Sequence, residues 1–223
     1  MKENRFFKMF VVMVFAVVIV QVAHRAGWAD EPIRLGFIGP LSGDLSSYGI
    51  PALRGVELAI EDVNRMGGVR GRRVDLYVED DLCIPKDASI RASKMVVNDV
   101  HAIVGHICSG ATRAALFICR QAEIIAVSPS ATHPELTQSG DFPNFFRTIA
   151  SDDIQARVQI KFVIDVLNLK KVAVLHDMTI YGKGLAETSK AILQNTDRVE
   201  LVFYDGILWL TRQQRRNDCP FFV

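Results

Sequence analysis

From Ile33 to Gly206 the chain alternates between two hydrophobic patterns. Short runs rich in β-branched and aromatic residues recur at 33–39 (IRLGFIG), 72–80, 101–107, 124–130, 144–150, 170–177 and 199–206. Most are brief, apolar and bounded by polar residues, as a buried strand should be, while 72–80 (RRVDLYVED) alternates apolar with polar positions. Between them lie longer stretches with apolar residues three and four apart, at 51–68, 86–99, 111–123, 151–167 and 181–194. In the first of these, Leu53, Val56, Leu58, Ala59, Ile60 and Val63 form one stripe, and the pair Gly67–Gly68 is a suitable stop. Strands alternating with helices predict an α/β fold of parallel sheets flanked by helices. The pattern starts again at Ser151, where a Ser cap and two acids open a helix. We therefore expect one α/β lobe over 30–150 and part of a second over 151–207.

The two ends fall outside this alternation. Lys2, Arg5 and Lys8 precede an apolar run from Met9 to Val20, and small residues follow at Gly27 and Ala29. A basic start, a short apolar core and a small-residue exit predict a secretory signal peptide over 1–29. The run of about a dozen residues is short of the roughly 20 that span a bilayer. The last stretch, 208–223 (LWLTRQQRRNDCPFFV), has neither period and does not supply the helix that should follow a parallel strand. It is expected to be an aberrant tail on a C-terminally truncated chain.

Export alters the charge picture. The 223 residues carry a formal charge of +1, but the leader holds four bases and one acid, and its removal leaves 22 bases against 24 acids. No basic stripe is present to meet phosphates, so nucleic acid is not an expected partner. Four cysteines are too few for a disulfide scaffold, although an oxidising compartment permits a bridge.

In an open parallel sheet, ligands gather where the βα loops leave the carboxyl ends of the strands. Tyr48, Asp80, Ser109, Ser130, Thr132 and Tyr181 all follow such strand ends. Ser109 falls at the start of the helix near Ala111, where unpaired N–H groups and the helix dipole favour an anion; equally, the serine can simply cap that helix. The loop SPSATHPELT (128–137) offers the Ser130 carbonyl and the Thr132 hydroxyl as acceptors for an ammonium, or forms an ordinary turn. Donors on one loop and acceptors on the next suit a zwitterion. Tyr48 and Tyr181 each precede a glycine at a helix start, placed either to clamp an apolar ligand or to pack. Cys83 and Cys108 follow successive strands and either form a bridge or remain buried thiols; Cys119 lies on an apolar helix face.

A catalytic reading is weaker. His106 and Cys108 are neighbours in the chain, but this alone makes no nucleophile and base. There is no GxSxG elbow, no P-loop and no GxGxxG opening a helix after the first strand. The histidines lack metal-ligand spacing, and no cofactor or metal is expected.

These residues resemble a known family. The segments IRLGFIGPLSGDLSSYGIPALRGVELAIEDVNRMGGVRGRRVDL, EDDLCIPKDA, VNDVHAIVGHICSGAT, VSPSATHPELT and VLHDMTIYGKGLA are similar to periplasmic leucine/isoleucine/valine-binding proteins. The resemblance covers about residues 33–207. It implies a two-lobed type I periplasmic binding protein whose second lobe is incomplete, with Cys83–Cys108 as a first-lobe disulfide. It also implies that Ser109 and Thr132 hold the ligand's charged ends, that Ser130 lends its carbonyl, and that Tyr48 and Tyr181 line the cleft. The implied function is the substrate-binding component of an ABC importer for branched-chain amino acids, periplasmic, monomeric and not an enzyme, delivering its ligand to an inner-membrane permease. An amino-acid-sensing receptor domain of the same fold is the alternative, with a Cys108/His106 hydrolase behind it.

Overall fold

The computed structural model describes residues 31–207 together with Met13; otherwise the expected leader (1–29) and tail (208–223) lie outside the described residues. The first half of the described chain is β1 (Ile33–Gly39), α1 (Ser46–Arg65), β2 (Val74–Asp80), α2 (Pro85–Val97), β3 (Ala102–Gly105), α3 (Ser109–Gln121), β4 (Ile125–Ser128), α4 (Glu135–Gln138) and β5 (Phe145–Arg147). The second half is α5 (Asp152–Lys161), a π-helical turn over Phe162–Val166, β6 (Lys171–His176), α6 (Ile180–Gln194) and β7 (Glu200–Gly206).

β1 to β5 form one parallel sheet in the order β2-β1-β3-β4-β5, and β6 and β7 pair in parallel as a separate sheet. The chain leaves β1 toward one side for β2 and toward the other for β3, so the loops after β1 and β3 diverge and open a crevice at the sheet's carboxyl edge.

The first core is close-packed because small residues let its layers approach. Ala88, Ala92 and Met95 of α2 and Ala111, Ala115 and Leu116 of α3 are buried with Ile38, Ile103 and Ala126 of the sheet. A Cβ on Gly36 would sit 3.0 Å from the Met95 sulfur, so that strand position must stay bare for α2 to pack. In the second sheet Val172, Val174 and Leu201 pack with Ile160 of α5 and with Ile192 and Leu193 of α6.

One hydrogen-bonding device closes the edge of the first sheet. β2 is its outer strand, and the Asn64 side chain of α1 donates to Val74 O and accepts from Val74 N, both at 2.8 Å.

Two boundaries differ from the sequence pattern. α1 starts at Ser46 rather than Pro51, so Tyr48 stands on its first turn. Gly49 allows this, because its bare Cα lies against Pro40, where a Cβ would approach the carbonyl oxygen to 1.9 Å. The helix expected over 151–167 changes to a π turn after Lys161, leaving Phe162 and Val166 exposed and Val163 and Ile164 half-buried.

Candidate functional site

β3 ends at Gly105, and His106, Ile107 and Cys108 lead directly into α3. Cys108 occupies the N-cap position, and no side chain caps the helix. The first turn therefore points its N–H groups outward with the positive end of the helix dipole behind them. Ser109 is not the cap of its own helix. It is buried at the first helical position, and its hydroxyl accepts from His133 N at 3.3 Å, linking α3 to the next loop. A disulfide joins Cys83 to Cys108 with Cα atoms 5.5 Å apart, anchoring the residue before Ser109.

The loop after β4 is built around Ser128. Its buried hydroxyl donates to His106 O at 2.5 Å and accepts from Ala131 N at 2.9 Å and Ser130 N at 3.2 Å. This draws the chain into a tight bend that leaves the Ser130 carbonyl without a hydrogen-bond donor among the described residues. It also buries Thr132, whose hydroxyl oxygen meets no partner among the described residues.

Beneath Thr132 lies a residue whose role the sequence pattern did not identify. Asp152 N donates to Thr132 O at 3.0 Å, and the Asp152 side chain is fully buried with both carboxylate oxygens unpaired among the described residues. Burial raises its pKa above the usual 3.8, and the nearby Thr132 hydroxyl, His133 and Arg147 offset only part of that effect. The sequence pattern placed Asp152 and Asp153 together as dipole partners of a helix start, and only Asp153 behaves so. Asp153 is bonded to Ser151 and to Arg157 at 2.6 Å. No periodicity separates the two; the legible signal was that an acid here follows directly on a crossing from one sheet to the other.

Tyr48 and Tyr181 stand on the first turns of α1 and α6, 64% and 40% exposed. Ile180, the residue before Tyr181, lies beside the α3 terminus, where a Cβ on Gly110 would meet its side chain at 3.5 Å. The Thr179 hydroxyl caps α6 by accepting from Gly182 N at 2.9 Å, which fixes this turn. Close by, the His133 ring lies over Gly184, 2.5 Å from where a Cβ would stand. Tyr48 shares the carboxyl edge but makes no hydrogen bond to Ser109, Ser130 or Thr132. The loops nearest it are tied by Asp80, which accepts from Leu41 N, Ser42 Oγ and Leu82 N. Burial would raise the Asp80 carboxyl, but these donors and Arg91 outweigh it and hold it below its ordinary value.

The ensemble thus sets the uncapped amides of α3 beside a carbonyl and a hydroxyl on the next loop, with the buried carboxylate of Asp152 brought under that loop from the start of α5. A zwitterion with its anion on α3 and its cation toward Thr132 and Asp152 matches these charges. The catalytic alternative rested on a free Cys108 thiol. Cys108 is bridged, and Cys119, free and buried, has its thiol pushed up to about 11 by burial. An open concavity of about 1030 Å³ lies elsewhere, between α1 and β2, and gathers no buried unpaired polar group.

Residues 32–202 match the family of periplasmic binding proteins. An amino acid binding protein of Pseudomonas aeruginosa is 37% identical over 90% of this chain and 53% of its own length. From the same organism, a leucine-, isoleucine-, valine-, threonine- and alanine-binding protein is 34% identical over 86% of this chain and 51% of its own. The branched-chain amino acid transporter substrate binding protein LivJ of Streptococcus pneumoniae, solved with isoleucine, superposes with a TM-score of 0.72. It has 29% identity over 81% of this chain and 51% of its own. The chain spans about half the length of the relatives it matches.

Proposed function

We propose, from the premise that the chain belongs to the periplasmic binding protein family, that its carboxyl-edge loops bind an aliphatic amino acid for an ABC importer. In this reading the ligand carboxylate rests on the α3 amides and the Ser109 hydroxyl. The ammonium is taken by the Ser130 carbonyl, the Thr132 hydroxyl and the Asp152 carboxylate. Tyr48 and Tyr181 flank the aliphatic side chain and exclude water from it. The type I periplasmic binding protein fold, with parallel sheets flanked by helices, agrees with this assignment. Export to the periplasm, a monomeric state and delivery to an inner-membrane permease complete the proposal.

The observation that carries the reading is the uncapped helix start at Ser109, joined through His133 N to the Thr132 loop under which Asp152 lies buried and unpaired among the described residues. A site for a plain carboxylate has no use for that acid. Calorimetry with three ligands tests this: leucine, 4-methylpentanoate (leucine without its ammonium) and 3-methylbutylamine (leucine without its carboxylate). Leucine alone is expected to bind. Equal binding of 4-methylpentanoate removes the zwitterion, and binding of neither acid removes the site.

A further inference from the structure

One buried ionisable pair remains unused by the site as described. His106 and Asp81 are each 1% exposed or less, and the imidazole Nδ1–H donates to Asp81 Oδ2 at 2.6 Å. Asp81 Oδ1 accepts from Cys83 N at 2.9 Å, while Asp81 N donates to Gly39 O at 3.2 Å. Burying an imidazole and a carboxylate is costly unless each satisfies the other. Here the pair links the chain after β2 to the chain after β3, with Asp81 N also bonded to the end of β1.

From Asp81 two routes run to the candidate site. Through Cys83 and its disulfide the carboxylate reaches Cys108, next to Ser109. Through His106 it reaches Ser128, because His106 O accepts the Ser128 hydroxyl that also gathers the amides of Ser130 and Ala131. His106 thus bonds the β2 loop through its side chain and the β4 loop through its main chain.

We propose that Asp81 and His106 are a positioning pair that sets the Ser109 loop and the Ser130–Thr132 loop at the spacing a zwitterion needs. The ligand role rests on the amino-acid reading above; the mechanical role does not. Without the Nδ1–H donor, the His106 main chain loses its tie to the β2 loop and the Ser128 bend loosens, although the disulfide stays intact. Asparagine at 106 places an amide N–H near the former Nδ1, whereas leucine offers no donor.

The test compares His106→Leu and His106→Asn with the parent chain by site-resolved amide hydrogen exchange, without ligand and alongside leucine calorimetry. In His106→Leu the Ser130 and Ala131 amides are expected to exchange about tenfold faster or more while those of α1 stay unchanged, and leucine affinity to fall about tenfold. In His106→Asn both are expected to return to within about threefold of the parent. Ser130 and Ala131 exchange unmoved in His106→Leu overturns the proposal, as does acceleration spread evenly over the whole first sheet. Faster loop exchange with unaltered leucine affinity overturns it too. If the parent chain itself binds no leucine, the amino-acid reading fails and the exchange result alone decides the pair.

Discussion

Replacing Asp152 with asparagine separates stability from binding, because the same carboxylate acts on both with opposite sign. In the ligand-free chain it is covered, unpaired and raised in pKa chiefly by burial. Its charged form therefore opposes folding. The cost is absent below the unfolded value of 3.8, where the group is protonated in both states. It grows as pH rises and is complete above the raised native value. Arg147 and His133 compensate part of its charge without reversing the sign. Asp152→Asn should therefore raise stability at neutral pH and leave it unchanged below the unfolded value. Binding responds in the other direction. An ammonium docked on the carboxylate makes a charge-assisted hydrogen bond worth about 1.5–3 kcal/mol, so the amide variant should bind leucine about 10- to 150-fold more weakly. The bound cation also lowers the Asp152 pKa, so leucine binding by the parent should release protons and weaken as pH falls through the native value. Urea unfolding and calorimetry in two buffers of different ionisation enthalpy measure both effects. Leucine affinity within about twofold of the parent, with the same pH profile, would refute the argument.

Three further outcomes follow from the geometry. Replacing Cys83 and Cys108 with serine opens a loop of sequence separation 25 and should cost about 3.5 kcal/mol on the chain-entropy account, read from denaturant midpoints; a change below about 1 kcal/mol would argue against it. Gly184→Ala drives a methyl into the His133 ring, 2.5 Å away, and should cost about 1–3 kcal/mol. His133→Ala should restore most of that loss, and a double-mutant cycle without coupling would deny the contact. Gly49→Ala meets the Pro40 carbonyl at 1.9 Å and should destabilise by roughly 2–4 kcal/mol; a parent-like melting curve counts against that packing.

The alternating pattern located each of the seven strands among the described residues because each is a short run with apolar or alternating positions. It placed α1 late because Pro51 looks like a first-turn proline, and only the contact between Gly49 and Pro40 reveals the extra turn ahead of it. The π turn at Phe162–Val166 left no trace, since FVIDV satisfies either helical period. At the candidate site, the sequence pattern put Ser109 and Thr132 on loops that follow strands, and the structure connects those loops through His133 N and Ser109 Oγ. Asp152 was not legible, because its environment comes from Thr132 and Arg147, which adjoin it only after the sheets form. The Asp81–His106 pair was hidden for the same reason, being 25 residues apart.

A lone carboxamide clasping Val74 impersonates the strand that would otherwise come next. Sheet borders recruit foreign chains through their idle peptide groups, and aggregation begins from such recruitment. Asn64 occupies one peptide pair of that border with a partner drawn from the same molecule. Trading it for leucine would free two groups at the rim while adding grease beside them, and clumping on storage is the expected penalty.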